Sequence, residues 1–135
     1  MLRKKEKSKV IDLNKQEIST VIGEGYHITG EIKGSSVIRI DGRVSGNVVV
    51  EGGIVLGVNG VIEGDLISRS AIIHGTVSGN VVCKQVEIKN TGVVTGDIET
   101  DTIEMELGSH FTGKLRMKTA EAVDATTEFK EKEVV

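Results

Sequence analysis

Residues 44–50 read VSGNVVV and residues 77–83 read VSGNVVC, so six of seven letters recur 33 positions apart. Weaker copies of the same frame, apolar-x-Gly-x-apolar, surround them. It fits Ile28-Thr29-Gly30-Glu31-Ile32, Ile62-Glu63-Gly64-Asp65-Leu66, Val94-Thr95-Gly96-Asp97-Ile98 and Phe111-Thr112-Gly113-Lys114-Leu115. The six glycines are spaced by 16, 18, 15, 17 and 17 residues, which puts the two quoted phrases two repeats apart. An internal period of this length marks a solenoid.

Aligned on their glycines, the copies form apolar columns. Two residues before the glycine stand Ile28, Val44, Ile62, Val77, Val94 and Phe111. Two after it stand Ile32, Val48, Leu66, Val81, Ile98 and Leu115. Eight before it stand Ile22, Ile38, Leu56, Ala71, Ile88 and Met105. The residues flanking the glycine are polar throughout. This period-2 alternation predicts strands with one face turned inward. Gly42, Gly60, Gly75 and Gly92, four before the repeat glycine in the middle copies, follow Asp41, Asn59, His74 and Thr91. Asp-Gly and Asn-Gly are strong turn pairs, because glycine reaches positive φ without steric cost. Each repeat is therefore one coil of three short sides. A single coil cannot bury its apolar face, but stacked coils share a continuous core. The expected fold is all-β: a single parallel β-helix over 18–118, a triangular solenoid of about six rungs.

Composition agrees. The chain holds one Tyr, two Phe and no Trp, so stacked aliphatic side chains must build the core. It has no proline, which would delete ladder hydrogen bonds. The competing fold is the left-handed hexapeptide helix of acyltransferases. That fold wants aliphatic residues every six and near-uniform rungs. Here the repeat varies and no insertion longer than a few residues interrupts it, which favours right-handed coiling.

The stretch Ser19-Thr20-Val21-Ile22-Gly23-Glu24-Gly25, then Ile28-x-Gly30-x-Ile32, then the Val-Ser-Gly-Asn-Val phrases, resembles a bactofilin over about residues 18–118. The resemblance implies a small right-handed, triangular β-helix that polymerises end to end into bacterial cytoskeletal filaments without nucleotide. It implies a scaffold in cell shape, envelope growth or motility, with like ends meeting in a filament without polarity. It also implies a hydrophobic anchor near the C-terminal junction.

Outside the repeat the composition shifts. Residues 1–9, MLRKKEKSK, carry five Lys/Arg against one Glu, net +4. Residues 119–135 carry five acids against two lysines, net −3. Residues 1–17 and 119–135 read as flexible tails. No stretch approaches the ~18 apolar residues of a spanning helix, and no apolar secretion region is present. Leu2 excludes N-myristoylation. The expected location is cytoplasmic and peripherally membrane-associated. Met1 and Leu2, followed by Arg3, Lys4, Lys5, Lys7 and Lys9, suit an anionic inner membrane surface. There each basic residue gains about 1 kcal/mol. The simpler reading of this tail is a solvated fringe. The acidic tail reads as a solubilising fringe or a partner-recruiting segment.

Chemistry is sparse. His27 and His110 share a column five rungs apart and His74 lies at a turn, so no metal site is expected. Cys83 takes the slot of Val50 in the twin phrase and reads as a core residue. No Gly-Lys-Ser/Thr follows a glycine loop, so no nucleotide cofactor is expected. Glu31, Asp65 and Asp97 lie in one column with Asn47, Asn80 and Lys114, which reads as a solvated face rather than a glycosidase pair. Residues 21–118 carry nine basic and twelve acidic side chains, which disfavours nucleic acid. No catalytic residue is expected.

A β-helix has two open ends, each with unpaired backbone groups and a slice of core. Such ends template further pairing unless capped. The last repeat keeps Ile103, Met105, Leu107, Phe111, Leu115 and Met117, and the first shows Ile18, Ile22, Ile28 and Ile32. The expected polymer interface is Phe111, Leu115, Met117 and Met105 at one end and Ile22 and Ile28 at the other. Phe111 is the only aromatic residue in the columns. The expected partners are the chain itself, the anionic membrane surface, and other bactofilins or envelope proteins. Two alternatives compete with the scaffold: a monomeric binding rod with capped ends, and a β-helix enzyme with an inserted catalytic loop.

Overall fold

The computed structural model describes residues 18–117. The segments 1–17 and 118–135 lie outside the described residues. So do the readings placed on Met1, Leu2, Arg3, Lys4, Lys5, Lys7 and Lys9.

Residues 18–117 wind through six rungs of three walls, and every strand pairing among them is parallel. The first wall holds β1 (Ile18–Ile22), β4 (Val37–Ile40), the second half of β6 (Val48–Leu56), the second half of β8 (Leu66–Ile73), β11 (Gln85–Ile88) and β14 (Thr102–Met105). The second wall holds β2 (His27–Thr29), β5 (Arg43–Ser45), β7 (Val61–Glu63), β9 (Thr76–Ser78), β12 (Val93–Thr95) and β15 (His110–Thr112). The third holds β3 (Ile32–Gly34), the first halves of β6 and β8, β10 (Val81–Val82), β13 (Ile98–Thr100) and β16 (Leu115–Met117). β6 and β8 run around a corner without a break, so the first and third walls form one continuous sheet. The all-β solenoid of about six turns is therefore as the repeat predicts.

Register explains why the phrase recurs. Val44 and Val77 stack in one column with Ile62 between them, and all three are fully buried. Val48, Leu66 and Val81 do the same on the third wall. Burying such a side chain is worth about 1.5–3 kcal/mol, and the same height in each rung demands the same kind of side chain.

One column needs correction. The register runs Ile22, Ile40, Leu56, Ile73, Ile88 and Met105, with Ile40 and Ile73 in place of Ile38 and Ala71. Ile38 and Ala71 belong to the next inward column, with Ile54, Val86 and Ile103. The cause is the corner between the first and second walls. From Leu56 to Ile62 and from Ile88 to Val94 the chain takes six steps, but from Ile40 to Val44 and from Ile73 to Val77 only four. The longer version closes as a four-residue turn, as when Gly60 N–H donates to Gly57 O and Gly92 N–H to Lys89 O, both 2.8 Å. A second choice lies at the β6 corner, where the register shifts between Val50 and Gly53 and inserts one residue. Those two choices generate the uneven glycine spacing. A two-residue slip keeps a side chain on the same face, so the apolar pattern cannot tell the two columns apart.

The repeat glycines form a ladder at the corner between the second and third walls. Gly96 has φ +141°, and a Cβ there would overlap the carbonyl oxygen of Gly79 one rung below. Gly46, Gly64, Gly79 and Gly113 meet their predecessors in the same way. Beside it runs a ladder of amide and carboxylate oxygens. Asn47 Oδ1 accepts from Asp65 N–H at 3.0 Å, and Asp65 Oδ1 from Asn80 N–H, Asn80 Oδ1 from Asp97 N–H and Asp97 Oδ1 from Lys114 N–H, each at 3.1 Å. The column is the exposed polar face that the sequence suggests, and its side-chain oxygens also clasp one rung to the next. Asn80→Ala removes one acceptor from an exposed bond and should cost about 1 kcal/mol, readable as a lowered urea midpoint with an unchanged slope.

Candidate polymerisation surfaces

The inward columns close over one another in the middle of the rod and open at its two ends. Ile40, Leu56, Ile73 and Ile88 are fully buried, whereas Met105, next in their column, is 43% exposed. Leu115 and Met117, ending the third-wall columns, are 42% and 48% exposed, where Leu66 and Val81 are fully buried. Ile103 and Phe111 are half-buried and pack on the core beneath them. These five side chains form one apolar layer across the C-terminal end of the described solenoid. At the other end Ile22, Ile28 and Ile32 are likewise half-buried against the core, with Ile18 more open.

The structure therefore divides the expected interface residues into two surfaces. Phe111, Leu115, Met117 and Met105 share the last rung, while Ile22 and Ile28 share the first. Five rung steps of ~4.8 Å separate them, so a contact joining the two sets requires two molecules. Leu107 does not belong with its neighbours. It sits in the turn closed by Ser109 N–H donating to Glu106 O, and is 96% exposed. Tyr26, largely exposed in the first rung's turn, falls outside every column, so the repeat gives no sign that it is an end residue.

Backbone chemistry at the ends matches the apolar layers. Among the described residues, β1, β2 and β3 pair only with the second rung, and β14, β15 and β16 only with the fifth. In inner rungs the glycine N–H donates to the next rung, as Gly96 N–H does to Thr112 O at 2.9 Å and Ile98 N–H to Lys114 O at 2.8 Å. The matching groups of Gly113 and Leu115 have no further rung among the described residues. An open row of this kind, beside exposed apolar side chains, is a template for another chain.

The remaining candidate groups stay apart. His27 Nε2 lies 2.8 Å from Ser45 Oγ, which donates to Glu63 Oε1 at 3.1 Å. Arg43 pairs with the same Glu63 and, with the Ser45 hydrogen bond, holds its carboxyl below the usual range. This network is exposed and stitches the first three rungs of the second wall. Among the described residues no group of three or more His, Cys, Asp or Glu is placed to hold a metal ion. Cys83 is buried, with its Sγ 3.4 Å from Ser68 Oγ, and burial pushes its thiol up. Thiolate is the reactive form, so the native protein should resist alkylation at pH 8 and label only after unfolding. Labelling of native protein at the unfolded rate would contradict this placement.

Comparison with known proteins places the same segment. A family model described as "Bactofilin: Polymer-forming cytoskeletal" matches residues 20–116. Bactofilin BacO of Myxococcus xanthus is 35% identical over 104 residues, covering 76% of this chain and 82% of BacO. Bactofilin BacP of the same organism is 28% identical, over 76% of this chain and 43% of its own length. Among solved structures, the double helical filaments of Thermus thermophilus bactofilin superpose with a TM-score of 0.72 at 31% identity, covering 73% of this chain and 99% of that one. The solid-state NMR structure of the cytoskeletal bactofilin BacA gives 0.68 at 30% identity, covering 75% and 97%.

Proposed function

The chain belongs to the bactofilin family of polymer-forming cytoskeletal proteins, and from that premise we propose that it is a non-enzymatic scaffold whose rungs stack end to end without nucleotide. The filament lies at the cytoplasmic face of the membrane and organises cell shape, envelope or motility. The observation that carries this reading is the pair of open ends. Each combines a slice of apolar core with a row of backbone groups that have no further rung to pair with among the described residues. Phe111, Met105, Leu115 and Met117 form one junction surface, and Ile22 and Ile28 the other. Right-handed coiling belongs to the same reading, as does assembly with other bactofilins or envelope proteins.

Membrane contact rests on Met1 and Leu2 with Arg3, Lys4, Lys5, Lys7 and Lys9. One tail binds a surface marginally, but a filament displays many copies at high effective concentration. Anionic vesicles should therefore pellet the polymer, and deletion of residues 2–9 should release it while filaments persist. Equal pelleting of the two forms would remove the membrane from this account and leave the scaffold.

A further inference from the structure

Side chains of the third wall alternate between the core and an outer face. Its outer column, read up the six rungs, is Lys33, Val49, Ile67, Val82, Glu99 and Arg116. The inward neighbours Val48, Leu66 and Val81 are fully buried in the core. Outside it, Val49 is half-buried, and Ile67 and Val82 are 43% and 37% exposed. Three aliphatic side chains thus form one strip on the surface. An ammonium group stands at one end of the strip and a carboxylate at the other.

This order is self-complementary about Ile67. With a second copy turned end for end and its third wall laid on this one, Ile67 meets Ile67. Val49 of each copy then faces Val82 of the other, and Lys33 of each faces Glu99 of the other. Such an isologous contact is what a two-fold axis demands. Glu99 already interacts within the chain, and a carboxylate has room for a further donor. Arg116, one rung beyond Glu99, overhangs the first rung of the second copy. On the rims Glu51 faces Lys84 and Asn47 faces Asn80. Like charges also meet there, since Arg69 and Asp65 face their own copies and Glu31 faces Asp97. These rim groups are exposed, and salt screens them. The rival arrangements put the conflict at the centre. A parallel copy sets Lys33 on Lys33 and Glu99 on Glu99. An antiparallel copy centred between Ile67 and Val82 sets Lys33 on Arg116 and Val49 on Glu99.

The area says when this contact can form. Five overlapping rungs of ~4.8 Å, about 13 Å wide, give roughly 300 Å². A stable interface takes about 800 Å² from each partner. One pair of solenoids is therefore too small to hold, but two filaments repeat the contact along their length at high effective concentration.

We propose that the outer face of the third wall joins two filaments of this chain side by side in antiparallel order, with Ile67 on the two-fold axis, Val49 against Val82 and Lys33 against Glu99. The inference rests on the end-to-end assembly proposed above and adds a second, lateral contact to it.

A short bis-maleimide suits sheet faces packed ~10 Å apart, and the buried Cys83 leaves an introduced cysteine as the reactive thiol. In filaments of the full-length protein, Ile67→Cys should cross-link to covalent dimers. End-to-end neighbours cannot supply this product, because their Ile67 positions lie about five rungs or more apart. Val49→Cys and Val82→Cys should each cross-link poorly alone and several-fold better when the two are mixed. Self-cross-linking of all three positions, with no gain on mixing, would indicate a parallel pair and overturn the proposal. In the Ile67→Cys background, Lys33→Glu and Glu99→Lys should each lower the yield several-fold at an equal amount of sedimented polymer, and the two together should restore it. Failure of the double variant to recover overturns the charge pairing. Adding Phe111→Arg should abolish cross-linking, and an undiminished yield there overturns the dependence on filaments. Filaments without cross-linking at Ile67 sink the lateral contact alone. Lack of filaments in the parent sinks it together with the scaffold reading.

Discussion

Chains carrying Phe111→Arg are expected to remain single folded solenoids at concentrations where the parent polymerises. Phe111 closes the column that runs below it through Val94 and Val77, and its outer side faces the open end. Met105, Leu115 and Met117 surround it with apolar surface. An arginine buried at that junction would lack a partner, and an unpaired buried charge costs about 3–5 kcal/mol. Each 1.4 kcal/mol is a factor of about ten, so the concentration needed for assembly should rise more than a hundredfold. The fold itself should survive, because Phe111 is only half-buried and sits in the last rung. Sedimentation reads the first effect and far-UV circular dichroism the second. Filaments of normal length would remove Phe111 from the junction. If the variant unfolds, Leu115→Glu asks the same question at a more exposed position of the same layer.

The second large effect is expected at the glycine ladder. Gly96→Ala places a methyl group in a left-handed backbone, at φ +141°, and drives it into the Gly79 carbonyl. Backbone strain contributes about 1–3 kcal/mol and overpacking about 1–3 more. Gly30 is the internal control. Its φ is +126°, but it begins the ladder and a Cβ there meets nothing within 4 Å. Gly30→Ala should therefore cost the strain alone. Equal losses of stability for the two variants in urea would show that backbone conformation, and not the close stacking of rungs, fixes the ladder.

The repeat is readable because its main determinants are local and periodic. A glycine under a carbonyl, two flanking aliphatic residues and alternation by two are all visible in VSGNVVV. The corners are less readable. Ile38 stands in for Ile40, and Ala71 for Ile73, because both members of each pair face inward and either satisfies the pattern. Leu107 looks like a column residue because apolarity alone cannot tell a wall from a turn. Asn47, Asp65, Asn80 and Asp97 are solvent-exposed as their polarity suggests, but their bonding between rungs leaves no mark in any one copy. Val37, Val55 and Ile72 of the first wall form an apolar cluster apart from the core, hidden for a related reason. Valine and isoleucine suit strands on either face, so their outward placement emerges only from the register.

The most direct measurement of the central claim is negative-stain electron microscopy of the purified full-length protein, without nucleotide or metal. The open-ended solenoid predicts long thin filaments whose abundance rises with protein concentration. Discrete particles at every concentration would mean that the ends are covered, and would contradict end-to-end assembly.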